Sequence, residues 1–256
     1  MDHLIYTAAN GASRTMEQQA AIANNLANVN TTGFRAQMTA YRAVPVIDGE
    51  GADPKTGTRI MTVATTESSK LEQGPVQTTG RSLDVAIQGD GWLVVQTPEG
   101  EAYTRAGNLL INAEGQLATA TGKVVLSADD QPIEVNGSQD ISFDPHGGIN
   151  ILPRGGRPNE IQRTSQLKLV TPESKDLVRG DDGLFRATDN RGRAQAQPHN
   201  PLVKVLGGAL EGSNASAAES MVDMIKNARR FEMQMKMIQD ASQNAQSANS
   251  ILSASN

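Results

Sequence analysis

Apolar and small residues recur at alternating steps of three and four from Ser216 to Ser253: Met221, Met224, Ala228, Phe231, Met235 and Ile238, then Ser242, Ala245, Asn249 and Leu252. That spacing is a heptad seam on one helix face. Ser216-Ala217-Ala218-Glu219 ahead of it reads as a capping box, in which a Ser hydroxyl and a Glu carboxylate satisfy free backbone donors of the first turn. No Pro or Gly interrupts the run, so it predicts one helix about 57 Å long. The start of the chain repeats the alternation at Ile5, Ala9, Ala12, Met16, Gln19, Ala23 and Leu26, which predicts a helix from about Leu4 to Val29 with a stop at Gly33. The two seams satisfy each other poorly. One turns polar at Ser242 and Asn249, and the other is mostly alanine. A large seam residue contributes about 1.5–3 kcal/mol when fully buried, while fixing each backbone residue costs about 1–2 kcal/mol. A lone pair of these helices is therefore marginal. Two readings stand: an intramolecular helical hairpin, and helices that order only when neighbouring subunits pack on them.

Between the helices the pattern changes twice. From Val44 to Gly80 the chain is rich in Gly, Thr, Ser and Pro with short β-leaning pieces such as Arg59–Ala64, which predicts an extended connector or long hairpin. From Arg81 to Leu210 the period is two. Leu83, Val85 and Ile87 alternate with Asp84, Ala86 and Gln88, and short strands are expected at Trp92–Thr97, Leu109–Asn112, Lys123–Leu126, Ile141–Phe143, Ile149–Leu152, Gln166–Val170 and Leu202–Leu206. Gly89-Asp90-Gly91, Glu114-Gly115 and Asp182-Gly183 are among the turns between them, the mark of an all-β module. Trp92 is the expected core anchor. The fold class is thus α+β: long N- and C-terminal helices packing as a coiled-coil-like domain, with an inserted all-β domain. The expected division is 1–40 and 211–256 for the helical part, 41–80 for the connector and 81–210 for the β domain.

Composition narrows the function classes. A net charge of −5 over 256 residues, with no Lys/Arg-rich block, argues against a nucleic-acid partner. The absence of cysteine removes thiol catalysis, disulfides and cysteine metal sites. His3, His146 and His199 are isolated, Asp129-Asp130 and Asp181-Asp182-Gly183 lack the remaining ligands of a calcium loop, and neither a Gly-x-Ser-x-Gly elbow nor a phosphate loop is present. No catalytic, metal or cofactor site is expected. No stretch approaches the ~20 apolar residues of a membrane span. Met1-Asp2-His3 is followed by no apolar signal-peptide core, so the expectation is either a cytoplasmic protein or export by a route that reads no cleaved signal.

Several segments resemble one family. Ala23-Asn24-Asn25-Leu26-Ala27-Asn28-Val29-Asn30-Thr31-Thr32-Gly33-Phe34-Arg35 resembles the signature of flagellar axial proteins, the rod, hook and hook-associated subunits. Thr79 through Gly91, Tyr103-Thr104-Arg105-Ala106-Gly107-Asn108 and Asn112-Ala113-Glu114-Gly115-Gln116-Leu117 resemble the β-domain of rod and hook proteins, and Leu210-Glu211-Gly212-Ser213-Asn214 resembles their lead into the last helix. Trp92-Leu93 stand where members usually have two phenylalanines. The first eight residues and Asn227-Ala228-Arg229-Arg230-Phe231-Glu232 are most similar to proximal-rod subunits, since distal-rod subunits usually carry Gln-Arg-Ala-Tyr-Glu in that last place. The resemblance implies a structural subunit of the basal body that stacks helically into the rod crossing the periplasm and carries motor torque. It implies as partners copies of itself, other proximal-rod subunits, the distal-rod subunit and the type III export apparatus, with no nucleic acid and no membrane insertion. The candidate assembly residues are Ile5, Ala9, Ala12, Met16, Ala23, Asn24, Asn25, Leu26, Asn28, Gly33 and Phe34, with Met221, Met224, Ile225, Ala228, Phe231, Met235, Ile238 and Leu252. Two rivals are another axial subunit, distal rod or hook, and a carbohydrate-binding or hydrolytic β-module with an oligomerising coiled coil.

Overall fold

The computed structural model describes residues 2–45, 60–135, 139–153, 161–189 and 192–254. Among these, two helices and many antiparallel strands make an α+β fold with a large β part. The chain divides into two compact units: Met1–Ala27 with Gln37–Ser69 and Ser216–Asn256, and Asn28–Ala36 with Lys70–Ala215.

In the first unit α1 (Asp2–Ala27) and α2 (Ala217–Ala254) run antiparallel: Thr15 reaches Gln234 and Gln19 reaches Asn227. The Glu219 N–H donates to Ser216 Oγ at 3.3 Å and the Ser220 N–H to the Ser216 carbonyl at 2.9 Å, so Ser216 caps α2. Among the described side chains of α2, those buried or half-buried are Ala217, Ser220, Met224, Asn227, Phe231, Gln234, Ile238, Ala241 and Ala245. Half of the expected seam is there. The alternate positions lie one residue earlier: Ser220, Asn227, Gln234 and Ala241 face inward, and Met221, Ala228, Met235 and Ser242 are exposed. On α1 the same offset holds, with Ala8, Thr15 and Ile22 turned inward and Ala9, Met16 and Ala23 outward. At Met16, Met221, Ala228 and Met235 the more apolar residue of each adjacent pair suggested the other face. Hydrogen bonding between Thr, Gln and Asn decides it instead.

The strands β1 (Gln37–Pro45) and β2 (Ile60–Ser69) pair antiparallel from Gln37↔Ser69 to Pro45↔Ile60. They lie on a second face of α1, where the Tyr41 hydroxyl donates to the Arg14 carbonyl at 2.9 Å. Asn25 holds the start of β1: Gln37 N–H donates to Asn25 Oδ1 at 2.7 Å, and Asn25 Nδ2 donates to the Gln37 carbonyl at 2.9 Å. Of the two readings for this stretch, connector or long hairpin, the structure has the hairpin, with strand pairing up to Ser69, while Lys70–Gly80 belongs to the β unit. Strands in this Thr- and Val-containing stretch pair the backbone groups that a bare connector leaves to water. Residues 46–59 of that stretch lie outside the described residues.

The β unit is built on β5 (Trp92–Thr97), which pairs on one edge with β6 (Gly100–Thr104) and on the other with β9 (Val124–Val125) and β13 (Leu169–Val170). The sheet continues through β8 (Leu117–Thr119) to β7 (Leu109–Ile111), and through β15 (Phe185–Ala187) to β14 (Leu177–Arg179). A second sheet holds β10 (Gln139–Phe143), β11 (Gly148–Pro153) and β12 (Gln162–Gln166). Two short pairs complete the unit: β4 (Val85–Gln88) with β16 (Lys204–Gly207), and β3 (Val76–Thr78) with β17 (Ala209–Glu211). Both faces of β5 are buried. Leu93 and Val95 enter one apolar cluster with Val85, Ile87 and Leu109, while Trp92 and Val94 enter another with Tyr103 and Phe185. The expected strand Gln166–Val170 is two, because Leu167 and Lys168 donate to Gly147 and Leu126 instead of continuing one ladder.

Candidate assembly surface and a buried ion cluster

The helix pair leaves large apolar side chains exposed among charged ones. Met16 is 63% exposed on α1, and on α2 Ile225 is 57% and Met221 53% exposed, with Val222, Met233, Met235 and Met237 beside them. Between the helices a groove of about 250 Å³ is lined by Thr15, Met16, Gln19, Asn227, Ala228 and Phe231. The candidate residues therefore divide. Ala9, Met16, Ala23, Met221, Ile225, Ala228 and Met235 are outward, Ala12 is buried, and Ile5, Leu26, Met224, Phe231 and Ile238 are half-buried within the unit. The Leu252 side chain lies outside the described residues. Of the asparagines, Asn24 is exposed and Asn25 clamps Gln37, while Asn28 accepts from the Thr31 hydroxyl at 3.0 Å.

Gly33 and Phe34 are held inside the β unit, which differs from an exposed role. The Gly33 N–H donates to the Glu211 carbonyl at 2.8 Å. Gly33 has φ +68°, and an added Cβ would lie 2.2 Å from the Arg105 carbonyl carbon, so only glycine fits. Phe34 is buried under the Arg179 guanidinium, 4.6 Å from its ring centroid, and Arg179 Nη1 donates to the Arg35 carbonyl at 2.8 Å.

Next to them sits a cluster that the sequence did not disclose. Glu211 is fully buried between two arginines: Oε1 lies 2.6 Å from Arg35 Nη1, and Oε2 accepts from Arg105 Nη1 at 3.0 Å. The Gly74 N–H also donates to Oε1, at 3.0 Å. Arg105 donates further to the Ile87 and Gly89 carbonyls, and both guanidiniums approach the Trp92 ring, at 5.3 Å for Arg105 and 5.8 Å for Arg35. Burial pulls Arg105 below the usual arginine range, Glu211 pushes it back up, and Arg35 lowers it again. Around the cluster Asn214 ties two passing segments: Ala36 N–H donates to its Oδ1 at 2.7 Å, and its Nδ2 donates to the Lys70 and Glu72 carbonyls. The arrangement joins three stretches of chain and presents no free acid or base. Each member is the single charge of its motif, but nothing in the sequence pairs them or marks them as buried.

Comparison with known proteins gives the family. Residues 5–35 match the model described as flagella basal body rod protein, 86–151 the flagellar hook protein FlgE/F/G D1 domain, and 206–251 the flagellar basal body rod FlgEFG protein C-terminal. The chain is 46% identical over 261 residues to the flagellar basal-body rod protein FlgF of Salmonella typhimurium and 44% identical to that of Escherichia coli, each covering 100% of both chains. The chain belongs to the flagellar basal-body rod proteins. It is a structural subunit, and it resembles these FlgF proteins more than it does the FlgG of Bacillus subtilis, to which it is 31% identical with 91% of the chain covered. In this rod protein each matched segment contributes one member of the ion cluster: Arg35, Arg105 and Glu211. Among the described residues no helix is long and apolar enough to cross a membrane, and no group of three or more His, Cys, Asp or Glu is placed to hold a metal.

Proposed function

We propose that this rod subunit works in the proximal part of the rod, stacking helically with copies of itself, with other proximal-rod subunits and with the distal-rod subunit to carry torque across the periplasm. On this reading it travels through the flagellar type III export apparatus without a cleaved signal, and it performs no catalysis. The assembly surface is the outward face of the helix pair, packed in coiled-coil fashion by neighbouring helices. The supporting observation is the inversion of the pair: Met16, Met221 and Ile225 stay outside while Thr15 and Asn227 are buried and Gln234 is half-buried. Repeated heterologous contacts of one face generate open helical assemblies.

Ile225→Asp tests this. The site is mostly exposed, so the fold of the subunit is retained, while a docked neighbour would lose about 1.5–3 kcal/mol of burial and meet an unpaired charge. The expected result is a subunit that is made and exported with an unchanged β-unit melting temperature, in cells that cannot swim. Wild-type motility would remove this face from the assembly surface.

A further inference from the structure

We propose that a polar ladder inside the helix pair, Thr15 and Gln19 on α1 with Asn227 and Gln234 on α2, fixes the register in which the two helices pair. This goes beyond the rod role and concerns the pair itself, whatever covers its outer face. Asn227 is buried; its Nδ2 donates to the Thr15 carbonyl at 2.7 Å and to Gln19 Oε1 at 2.8 Å. The Thr15 hydroxyl lies 2.9 Å from Gln234 Oε1 and 2.8 Å from the Gly11 carbonyl. Gly11 lets Gln234 approach the backbone, since a Cβ there would stand 2.8 Å from Gln234 Nε2.

The rest of the seam has little to hold register. Beside the larger Ile22, Phe231 and Ile238 it is small or flexible apolar residues such as Ala8, Ala12, Ala241 and Met224, and apolar contacts of this kind can be made in more than one alignment. A slide of one heptad keeps all of these on the seam. It sets Asn227 against Ala12 or Leu26 in place of Gln19, and Gln234 against Ala8 or Ile22 in place of Thr15. The slide that sets Asn227 against Ala12 also brings it beside Thr15 but leaves Gln234 against Ala8, and the slide that sets Gln234 against Ile22 also brings it beside Gln19 but leaves Asn227 against Leu26; either one leaves an amide of the ladder without its partner, and an enclosed unpaired polar group is costly. A single buried asparagine on a helix seam is enough to specify register at some cost in stability. Here two amides and a hydroxyl act together.

The chain has no cysteine, so paired spin labels can be placed cleanly at Ser13→Cys and Glu232→Cys, both exposed, in the otherwise full chain. Distances are then measured by double electron–electron resonance in the parent and in Asn227→Leu/Gln234→Leu. The parent should give one narrow distance. The double variant should keep or raise its helix content and show added populations, since a slide of seven residues moves one helix past the other by about 10 Å. Thr15→Val, which acts from α1 and leaves both amides in place, should also broaden the distribution. A single unchanged distance in the double variant would overturn the proposal, as would a parent that already shows several registers. Loss of helix content in the double variant would overturn it too, because the ladder would then supply stability in place of register.

Discussion

Replacing Glu211 by Gln tests the physical argument most directly. The side chain keeps its shape and can still accept the Gly74 N–H, but the charge between Arg35 and Arg105 is gone. Both arginines are then buried without a counter-ion; Arg35 is 1% and Arg105 3% exposed. Removing one partner of a buried pair costs about 3–5 kcal/mol, because the remaining charge has lost its hydration and gained nothing. For a unit of this size each kcal/mol lowers the melting temperature by about 2–4 °C, so the β unit should melt about 6–20 °C earlier. Trp92 is the only tryptophan and stands beside both guanidiniums, so its fluorescence reports this unit's unfolding. Adding Arg35→Met to Glu211→Gln removes one of the two stranded cations and should recover part of the loss, a non-additivity expected of groups in one network. The effect should persist in high salt, since buried pairs are little screened. A melting temperature within about 2 °C of the parent, below what 1 kcal/mol produces, would refute the reasoning. So would a further drop on adding Arg35→Met.

Other expectations follow from single contacts. Asn25→Ala strands the N–H and carbonyl of Gln37 and should speed amide exchange at Gln37 by the equivalent of about 1–3 kcal/mol. Gly107→Ala places a Cβ 1.6 Å from the Val85 carbonyl oxygen and should cost more than about 4 kcal/mol, seen as loss of cooperative melting. Burial holds the His199 imidazole below its ordinary value, and its Nδ1 accepts from the Leu169 N–H. The folded state therefore disfavours its proton. Its contribution is present above the unfolded value of about 6.5 and is lost as pH falls from there through the lower folded value, a slope on the acid side that His199→Gln should flatten. A Lys70–Ala215 fragment should fold as β structure but melt earlier than the same unit in the full chain, because Glu211 lacks Arg35 and Asn214 lacks the Ala36 N–H.

The sequence was most legible where one local pattern decides the outcome. Trp92–Thr97 opens with a short apolar run bounded by turns on both sides, and β5 has those limits. Trp92 is buried against Phe185, with ring centroids 4.7 Å apart, as the anchor reading expected. Short strands such as β3 and β14 carry no alternation of their own, and only their partners β17 and β15 define them. The ion cluster is invisible for a related reason: Arg105 and Glu211 are 106 residues apart, and nothing local distinguishes them from solvated charges. The helix seams fall between these cases. Their heptad period was readable, and so were the positions that both faces share, Met224, Phe231 and Ile238. The alternate positions were not, because hydropathy ranks Met221 over Ser220 and Met235 over Gln234, whereas the pairing is settled by hydrogen bonds to Thr15 and Gln19.

That offset has an energetic consequence. A hydrogen bond in the ladder contributes about 0.5–1.5 kcal/mol net, less than the about 1.5–3 kcal/mol available from fully burying one Met or Ile. Had the helices rotated to enclose Met16, Met221 and Met235, the pair would be more stable alone, with Ser220, Asn227 and Gln234 turned outward. Instead the weaker interactions close the pair and the stronger ones remain unspent at Met16, Met221, Ile225 and Met235. The β unit has two enclosed apolar clusters and completes itself within the chain. The helix pair does not, so on the proposed reading its ordering is coupled to the neighbour that covers it. A subunit built this way holds a folded β unit before assembly and gains most of its helical stability on joining the rod, which favours growth at the end of an existing stack over association of free subunits.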